Sequence, residues 1–162
     1  MSSIVTPSNQ EYILSTRPLS TELTDETVNN IWTLSSCDYP VIKQSNEFIV
    51  ETLYVSVDPY LSSGLKNSAL GGNPTPLGEI QISGIVSKVI DSQNTNYPIG
   101  TIINARAGWR RYNLFTGSEA RIRIVDTPNN PNSIYKELNL PYSAAIGILG
   151  MTAQTAYYGI LD

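Results

Sequence analysis

The residue types that most often carry out chemistry in proteins are scarce in this chain. It has no histidine, and Cys37 is its one cysteine. This composition removes the usual general base and excludes nucleophilic triads that depend on histidine. It also excludes a zinc site of the familiar kind, because such sites are built mainly from cysteine and histidine. Any chemistry must therefore be carried by a cofactor, by carboxylates or by tyrosines, or the chain carries out none.

Basic residues do not indicate a nucleic-acid partner. The formal net charge is −4, and binding to a phosphate backbone needs clustered lysine and arginine. The nearest approach to a basic cluster is a group of five arginines, Arg106, Arg110, Arg111, Arg121 and Arg123. Few aromatic residues accompany them in a repeating pattern, so we predict a solvated strand face.

The two ends of the chain bear on its location. Met1 to Gln10 lacks the basic start and apolar run of a signal peptide. The longest apolar stretch, Leu140 to Met151, is about half the length of a membrane span. With a single cysteine there is no intramolecular disulfide. We therefore predict a cytoplasmic protein with no membrane partner.

Alternating apolar residues predict several short strands. Phe48 to Val57 is the clearest, and both of its faces are largely apolar, which predicts a central strand ending at the Asp58–Pro59 bend. Gly84 predicts a bulge or tight bend in a second long strand. In chain order, the other predicted strands are Glu11–Arg17, Ile31–Ser35, Ile80–Asp91, Thr101–Ala107, Trp109–Phe115 and Ala120–Val125.

The last part of the chain no longer alternates. Tyr142 to Gly147 and Thr152 to Leu161 predict two short helices divided near Gly150. Earlier, Thr21 to Asn29 has room for one helical turn, and the glycine and proline content of Ser62 to Pro76 predicts a loop. Short strands followed by terminal helices predict a mainly β domain, a bent barrel with helices at one end.

Two segments carry a family resemblance. Tyr54-Val55-Ser56-Val57-Asp58-Pro59-Tyr60 resembles the "lylSvDPymr" segment of the leukotriene B4 dehydrogenase, prostaglandin reductase and alkenal double-bond reductase group. The stretch from Gly147 to Gly159 resembles that group's "GllGMpGlTAYxG" segment. Trp109-Arg110-Arg111-Tyr112 matches its "WxeY", and Arg17-Pro18 fits its "RP" opening. Because order and spacing agree, the resemblance covers nearly the whole chain.

The resemblance implies a fold and an activity. The group consists of zinc-independent medium-chain dehydrogenases/reductases, in which a GroES-like β domain precedes a Rossmann domain. NADPH binds in the cleft between the two domains and reduces the carbon–carbon double bond of an α,β-unsaturated aldehyde or ketone. This chain would be the substrate-side portion of such an oxidoreductase, lacking the Rossmann domain and inactive in isolation. Residues 1–140 would form the GroES-like domain, and residues 141–162 a helical segment leading toward the nucleotide-binding domain.

The resemblance also assigns site residues. Pro59 and Tyr60 match positions that face cofactor and substrate, with Tyr60 as the substrate-binding residue. Met151 and Thr155 match positions near the nicotinamide carboxamide. It assigns no catalytic residue and no metal ligand. The residues alone leave other readings open: a strand-ending turn with a half-buried Tyr60, a core position for Met151, and a Thr155 hydroxyl bonded to its own helix.

The chain also departs from the family pattern. Thr152-Ala153 replaces Pro-Gly, and no G-x-G-x-x-G occurs in the 162 residues. We therefore expect the chain as given not to bind NADPH tightly. The rival hypothesis is a truncated, non-catalytic β domain that acts as a binding or dimerisation module, because an exposed apolar terminal helix favours association of two copies.

Overall fold

The computed structural model describes residues 8–18, 24, 29–65 and 74–161. The helical turn predicted for Thr21 to Asn29 lies almost wholly outside these residues. The chain divides into two compact units, of which the first contains Met1–Tyr39, Val57–Ser83 and Gly108–Arg111. The second contains the remaining ranges, Pro40–Ser56, Gly84–Ala107 and Tyr112–Asp162.

The first unit is built on a two-stranded antiparallel sheet. Strand β1 (Asn9–Leu14) pairs with β2 (Trp32–Cys37), and Leu14 lies opposite Trp32. Helix α1 (Leu61–Leu65) also belongs to this unit, although the sequence predicted a loop there. A small apolar cluster anchors α1 to the sheet. It consists of the buried side chains of Leu14, Ile31 and Leu65, with Trp32 packed against them.

The second unit holds most of a five-stranded sheet with the order β6-β3-β4-β5-β7. Strand β3 lies between two others, so its predicted central position is confirmed. In chain order the strands are β3 (Phe48–Val55), β4 (Ile82–Ser92), β5 (Ile102–Gly108), β6 (Tyr112–Phe115) and β7 (Arg123–Asp126).

The alternation predicted for β3 fails at its C-terminal end. Pairing with β4 shifts register between Thr52 and Tyr54, which leaves Leu53 as an extra residue, and a second shift leaves Ile90 extra on β4. The two bulges in this pairing therefore lie at Leu53 and Ile90. Because a bulge interrupts the alternation of side chains, Leu53 and the two residues after it are all exposed at the surface.

Apolar side chains cover both faces of this sheet. One cluster contains Phe48, Val50, Ile85, Val89, Ile103, Ala105 and Phe115. The other brings strand residues against the short helices: Val86, Ile102, Tyr135, Ala144 and Ala145. A sheet covered on both faces needs apolar residues at successive positions, which is why β3 and β4 read as apolar on both faces in the sequence.

Three helical segments follow β7, of which the sequence predicted two. Helix α2 (Ile134–Glu137) was missed, and the segment predicted from Tyr142 is a 3-10 helix, Tyr142–Ala145. Helix α3 (Met151–Leu161) confirms the second predicted helix and begins directly after Gly150, as expected. None of its described side chains is buried. No helix within the described ranges is long and apolar enough to cross a membrane.

Candidate active site

The first candidate segment is the turn after β3. Asp58, Pro59 and Tyr60 lead into α1, and the Leu61 amide donates to the Asp58 carbonyl at 3.0 Å. Both the amide and the hydroxyl of Ser63 donate to the Tyr60 carbonyl, at 3.1 and 2.7 Å. The backbone of Tyr60 is thus fixed by its own helix, which places the tyrosine at the N-terminal end of α1.

The side chain of Tyr60 remains accessible. It is 42% exposed, and Pro59 beside it is exposed as well. This degree of exposure fits the half-buried tyrosine of the alternative reading as well as a contact with substrate. An exposed phenol can stack on an apolar ligand with its ring and hydrogen-bond with its hydroxyl. The turn therefore offers a contact surface for a small molecule.

Arg17 contributes to this segment in a way that the sequence did not reveal. Its guanidinium donates to the carbonyl of Gly64, in α1, at 3.2 Å and to the carbonyl of Thr75 at 2.5 Å. The Thr75 amide also donates to the Gly64 carbonyl, at 3.1 Å. The "RP" motif singled out this arginine, but no local pattern indicates that it bonds to residues 47 and 58 positions away.

The second candidate segment begins with the turn before α3. The amides of Gly147 and Leu149 donate to the Ala144 carbonyl at 3.2 and 2.8 Å, and the Gly150 amide donates to Gly147 at 2.9 Å. A phosphate-cradling loop needs free amides. These three amides are used within the turn, so they are not available to a phosphate, and the turn ends one helix and starts the next.

Met151 and Thr155 lie on the first turns of α3. Met151 is 57% exposed, so it does not fill the core, as one alternative proposed. The Thr155 hydroxyl donates to the Met151 carbonyl at 2.9 Å, which is the bond that the other alternative named. Its oxygen keeps lone pairs that can accept a further hydrogen bond. A role for both residues beside a nicotinamide remains a prediction.

An open groove runs along α3. It has a volume of about 350 Å³ and is lined by Leu149, Ala153, Tyr157 and neighbouring side chains. The lining is mainly apolar, and Tyr157 meets Tyr158 edge to face with ring centroids 5.5 Å apart. Tyr60 belongs to the first unit and Thr155 to the second. That both residues face the same cofactor, as the resemblance implies, therefore stays a prediction.

Two side chains of the sheet, Asn104 and Asp126, hold the 3-10 helix that precedes α3. The Asn104 amide on β5 donates to the Ala145 carbonyl at 3.1 Å. The Tyr142 hydroxyl donates to the carboxylate of Asp126 at 2.9 Å, and Lys136 lies 3.4 Å from the same oxygen. Burial acts to raise the pKa of Asp126, but hydrogen bonds such as that from Tyr142 outweigh it and leave the pKa below the ordinary value.

Aromatic rings form a separate cluster in the first unit. The rings of Trp32 and Trp109 lie 5.5 Å apart, and Tyr12 meets Trp109 edge to face at 6.3 Å. The Trp109 indole donates to Ser83 at 2.7 Å. Trp109 is partly buried. This cluster packs the sheet of the first unit and holds no group that reacts.

The arginines of the basic group fall into two kinds. Arg110 forms an ion pair with Glu11, while the other four, Arg106, Arg111, Arg121 and Arg123, are exposed. Nearby, burial and the neighbouring Glu11 raise the pKa of the Cys37 thiol. Within the part of the chain that the structure describes, no three cysteine or carboxylate side chains are grouped closely enough to hold a metal ion.

Comparison with known proteins identifies the class of fold. The crystal structure of CurA from Vibrio vulnificus superimposes with a TM-score of 0.72 at 26% identity, covering 95% of this chain and 40% of that one. Together with the observed strands and short helices, this confirms the predicted mainly β, GroES-like fold.

Family membership follows from the sequence. A family model described as the N-terminal domain of oxidoreductase matches residues 11–122, and the chain belongs to this family. NADPH-dependent curcumin reductase of Escherichia coli is 29% identical over 116 residues, which are 72% of this chain and 30% of that protein. Prostaglandin reductase 1 of Bos taurus is 30% identical over 134 residues, 83% of this chain and 36% of that protein. The chain thus spans about a third of these relatives.

Proposed function

We propose that this chain is the substrate-side portion of an NADPH-dependent oxidoreductase that reduces the carbon–carbon double bond of α,β-unsaturated aldehydes and ketones. Membership of the oxidoreductase N-terminal domain family supports the proposal, as do relatives named as curcumin and prostaglandin reductases. Residues 1–140 would form the substrate-side domain, and residues 141–162 would lead toward a nucleotide-binding domain. The single cysteine is compatible with a reducing compartment such as the cytoplasm.

The observation that carries the proposal is the exposed Tyr60 on a fixed turn. Its ring is accessible while its backbone carbonyl accepts two hydrogen bonds from Ser63. A rigid backbone with an open aromatic side chain is suited to orienting a small apolar molecule. In the proposed reaction the ring contacts the apolar part of the enone, and the hydroxyl hydrogen-bonds to its polar part.

Among the residues that the structure describes, those at the start of α3 fit one end of the cofactor. The amides of Gly147, Leu149 and Gly150 are used within the preceding turn and are not available to the phosphates. The exposed Met151 and the free lone pairs of Thr155 fit contact with a nicotinamide carboxamide. NADPH, when bound, supplies the hydride that the β-carbon of the substrate receives. The α-carbon would then take a proton from solvent water, and the developing enolate oxygen would need a hydrogen-bond donor.

The test uses the full natural polypeptide that contains these residues. Its intact mass is measured first, because a mass well above the 17.8 kDa of this chain is expected for a two-domain enzyme. NADPH oxidation is then followed with an enone and with the matching saturated ketone. We expect oxidation with the enone alone, and deuterium from labelled NADPH at the β-carbon of the product. Oxidation with the saturated ketone, or none with a series of enones and enals, contradicts the proposal.

A second candidate function rests on the surface of α3. Ile160 is 83% exposed, and Leu161, Tyr157 and Tyr158 are each more than 60% exposed. An apolar surface of this kind favours association, so the alternative is a non-catalytic module that pairs two copies. Sedimentation of the 162-residue chain tests this second candidate function, which predicts a dimer that Ile160→Lys disrupts. A monodisperse monomer contradicts it.

A further inference from the structure

The strongest feature that the proposed function leaves unused is Arg17. This side chain follows β1, yet its guanidinium reaches two backbone carbonyls that lie far along the chain, those of Gly64 and Thr75. All three residues belong to the first unit, as does Tyr60. The contacts are part-buried. The arrangement therefore connects the end of β1 to the short helix that begins directly after Tyr60.

Helix α1 needs such anchors, because it cannot be stable alone. It has five residues, with no acidic residue in its first turn and no basic residue in its last. Forming the first turn of a helix costs more conformational entropy than its hydrogen bonds recover in free energy. The last carbonyls of any helix also lack hydrogen-bond partners within the helix. Leu65 supplies one anchor, since it is buried against Leu14 and Ile31. Arg17 and Thr75 supply the other by donating to the Gly64 carbonyl.

Only an arginine provides this double contact. Its planar guanidinium carries five N–H donors in a fixed fork, so two carbonyls are held at a set spacing. Lysine presents a single ammonium on a flexible stem, which does not impose that spacing. The end of α1 is therefore fixed by specific hydrogen-bond geometry.

We propose that Arg17 is a positioning residue for Tyr60, and this inference rests on the proposed reductase function. By holding the Gly64 carbonyl, Arg17 fixes α1, and α1 in turn fixes the Tyr60 carbonyl through Ser63. Arg17 acts through the helix and needs no contact with the substrate. Loosening α1 displaces the phenol ring from the position in which it orients the enone.

The first test compares kinetics in the full natural polypeptide. Arg17→Ala is expected to lower kcat/KM for the enone about 10- to 100-fold, the size of loss that a misplaced orienting group causes. Arg17→Lys should recover little of this loss, whereas added guanidinium ion should recover part of it in Arg17→Ala. Arg106→Ala is the matched control, because Arg106 is an exposed arginine of the second unit. If Arg17→Ala and Arg106→Ala have the same kcat/KM, the proposal is overturned.

A double-mutant cycle separates positioning from general stabilisation. In a Tyr60→Ala background, Arg17→Ala should lower kcat/KM no further, while it still lowers the unfolding temperature. An equal fold-loss in both backgrounds shows that Arg17 does not act through Tyr60 and overturns the proposal. Leu65→Ala serves as the reference for a purely apolar anchor of α1.

Hydrogen exchange gives a readout that does not depend on activity. In Arg17→Ala the amides of Ser63 and Thr75 should exchange faster than in the parent, because the end of α1 opens more often. The amides of Val50 and Val89, in the sheet of the second unit, should be unchanged. Unchanged exchange at Ser63 overturns the positioning inference even in an active enzyme. Absence of enone reduction in the parent overturns the proposed function instead.

Discussion

The hydroxyl of Tyr142 donates to the buried carboxylate of Asp126 at 2.9 Å and ties the 3-10 helix to the last strand of the sheet. Asp126 is 2% exposed, so its charge depends on such donors. The amide of Thr127 donates to its other oxygen at 2.9 Å. Through the 3-10 helix, this buried pair holds the turn from which α3 begins.

Removing the Tyr142 hydroxyl should destabilise the fold. A hydrogen bond to a charged group contributes about 1.5–3 kcal/mol, and we expect Tyr142→Phe to lose about that much of the free energy of unfolding at neutral pH. Tyr97→Phe is the control, since Tyr97 also has a partly buried ring that packs against the core, stacked on Phe48 with ring centroids 4.5 Å apart. Urea unfolding of both variants measures the difference. Equal losses in the two would contradict a special role for the pair.

The same pair predicts the pH range of stability. The pKa of Asp126 lies below its ordinary value of 3.8, so its contribution is present above that pH and is lost as pH falls through the folded pKa. Burial and the Asp126 carboxylate raise the pKa of Tyr142 above its ordinary value of 10.0, so the contribution of Tyr142 is present below pH 10.0 and is lost as pH rises through the higher folded pKa. Denaturation at a series of pH values should show the difference between parent and Tyr142→Phe shrinking at both extremes. A difference that is constant with pH would refute this account.

Local sequence patterns predicted most of the fold, because the apolar runs of β3, β4 and β5 are set by burial on both faces. They failed where the backbone is determined by distant contacts. The bulge at Leu53 depends on pairing with β4, and α1 depends on Leu65 and Arg17. The candidate residue Tyr60 came from resemblance alone. The spacing of residues does not predict its fixed carbonyl or its accessible ring. Both depend on α1, which lies in a segment whose glycine and proline content predicted a loop.

Two glycines of the last helical region should respond oppositely to alanine. At Gly150 a Cβ would lie 2.8 Å from the Ala145 carbonyl oxygen and 2.9 Å from the Ile146 carbonyl carbon, and neither backbone atom can move freely. We expect Gly150→Ala to destabilise by about 1–3 kcal/mol, as overpacking does. Gly159 has nothing within 4 Å of its Cβ position, so Gly159→Ala should stabilise the helix by about 0.5–1 kcal/mol. Thermal unfolding compares them, and a stable Gly150→Ala would disprove the packing argument.

The proposed role of Tyr60 predicts a graded kinetic series in the full natural polypeptide. Tyr60→Phe keeps the ring and should lower kcat/KM for an enone by about tenfold or less, the effect of one hydrogen bond. Tyr60→Ala removes the ring as well and should cost more. Both should unfold within about 0.5 kcal/mol of the parent, because the side chain is exposed. Tyr54→Ala, at 41% exposure, is the control for loss of a surface tyrosine.

Thr155 allows the cofactor side of the proposal to be tested separately from the substrate side. Its hydroxyl already donates to the Met151 carbonyl, so it can only accept from a carboxamide N–H. Thr155→Val removes that acceptor and should raise KM for NADPH about two- to tenfold with little change in KM for the enone, while Thr155→Ser should stay near the parent. Thr152→Val is the matched control, because Thr152 also lies on α3. Its hydroxyl donates to the Gly147 carbonyl, in the turn before the helix, at 3.0 Å. If the two valine variants raise KM for NADPH equally, the hydroxyl of Thr155 serves only its helix, and the nicotinamide contact must lie elsewhere.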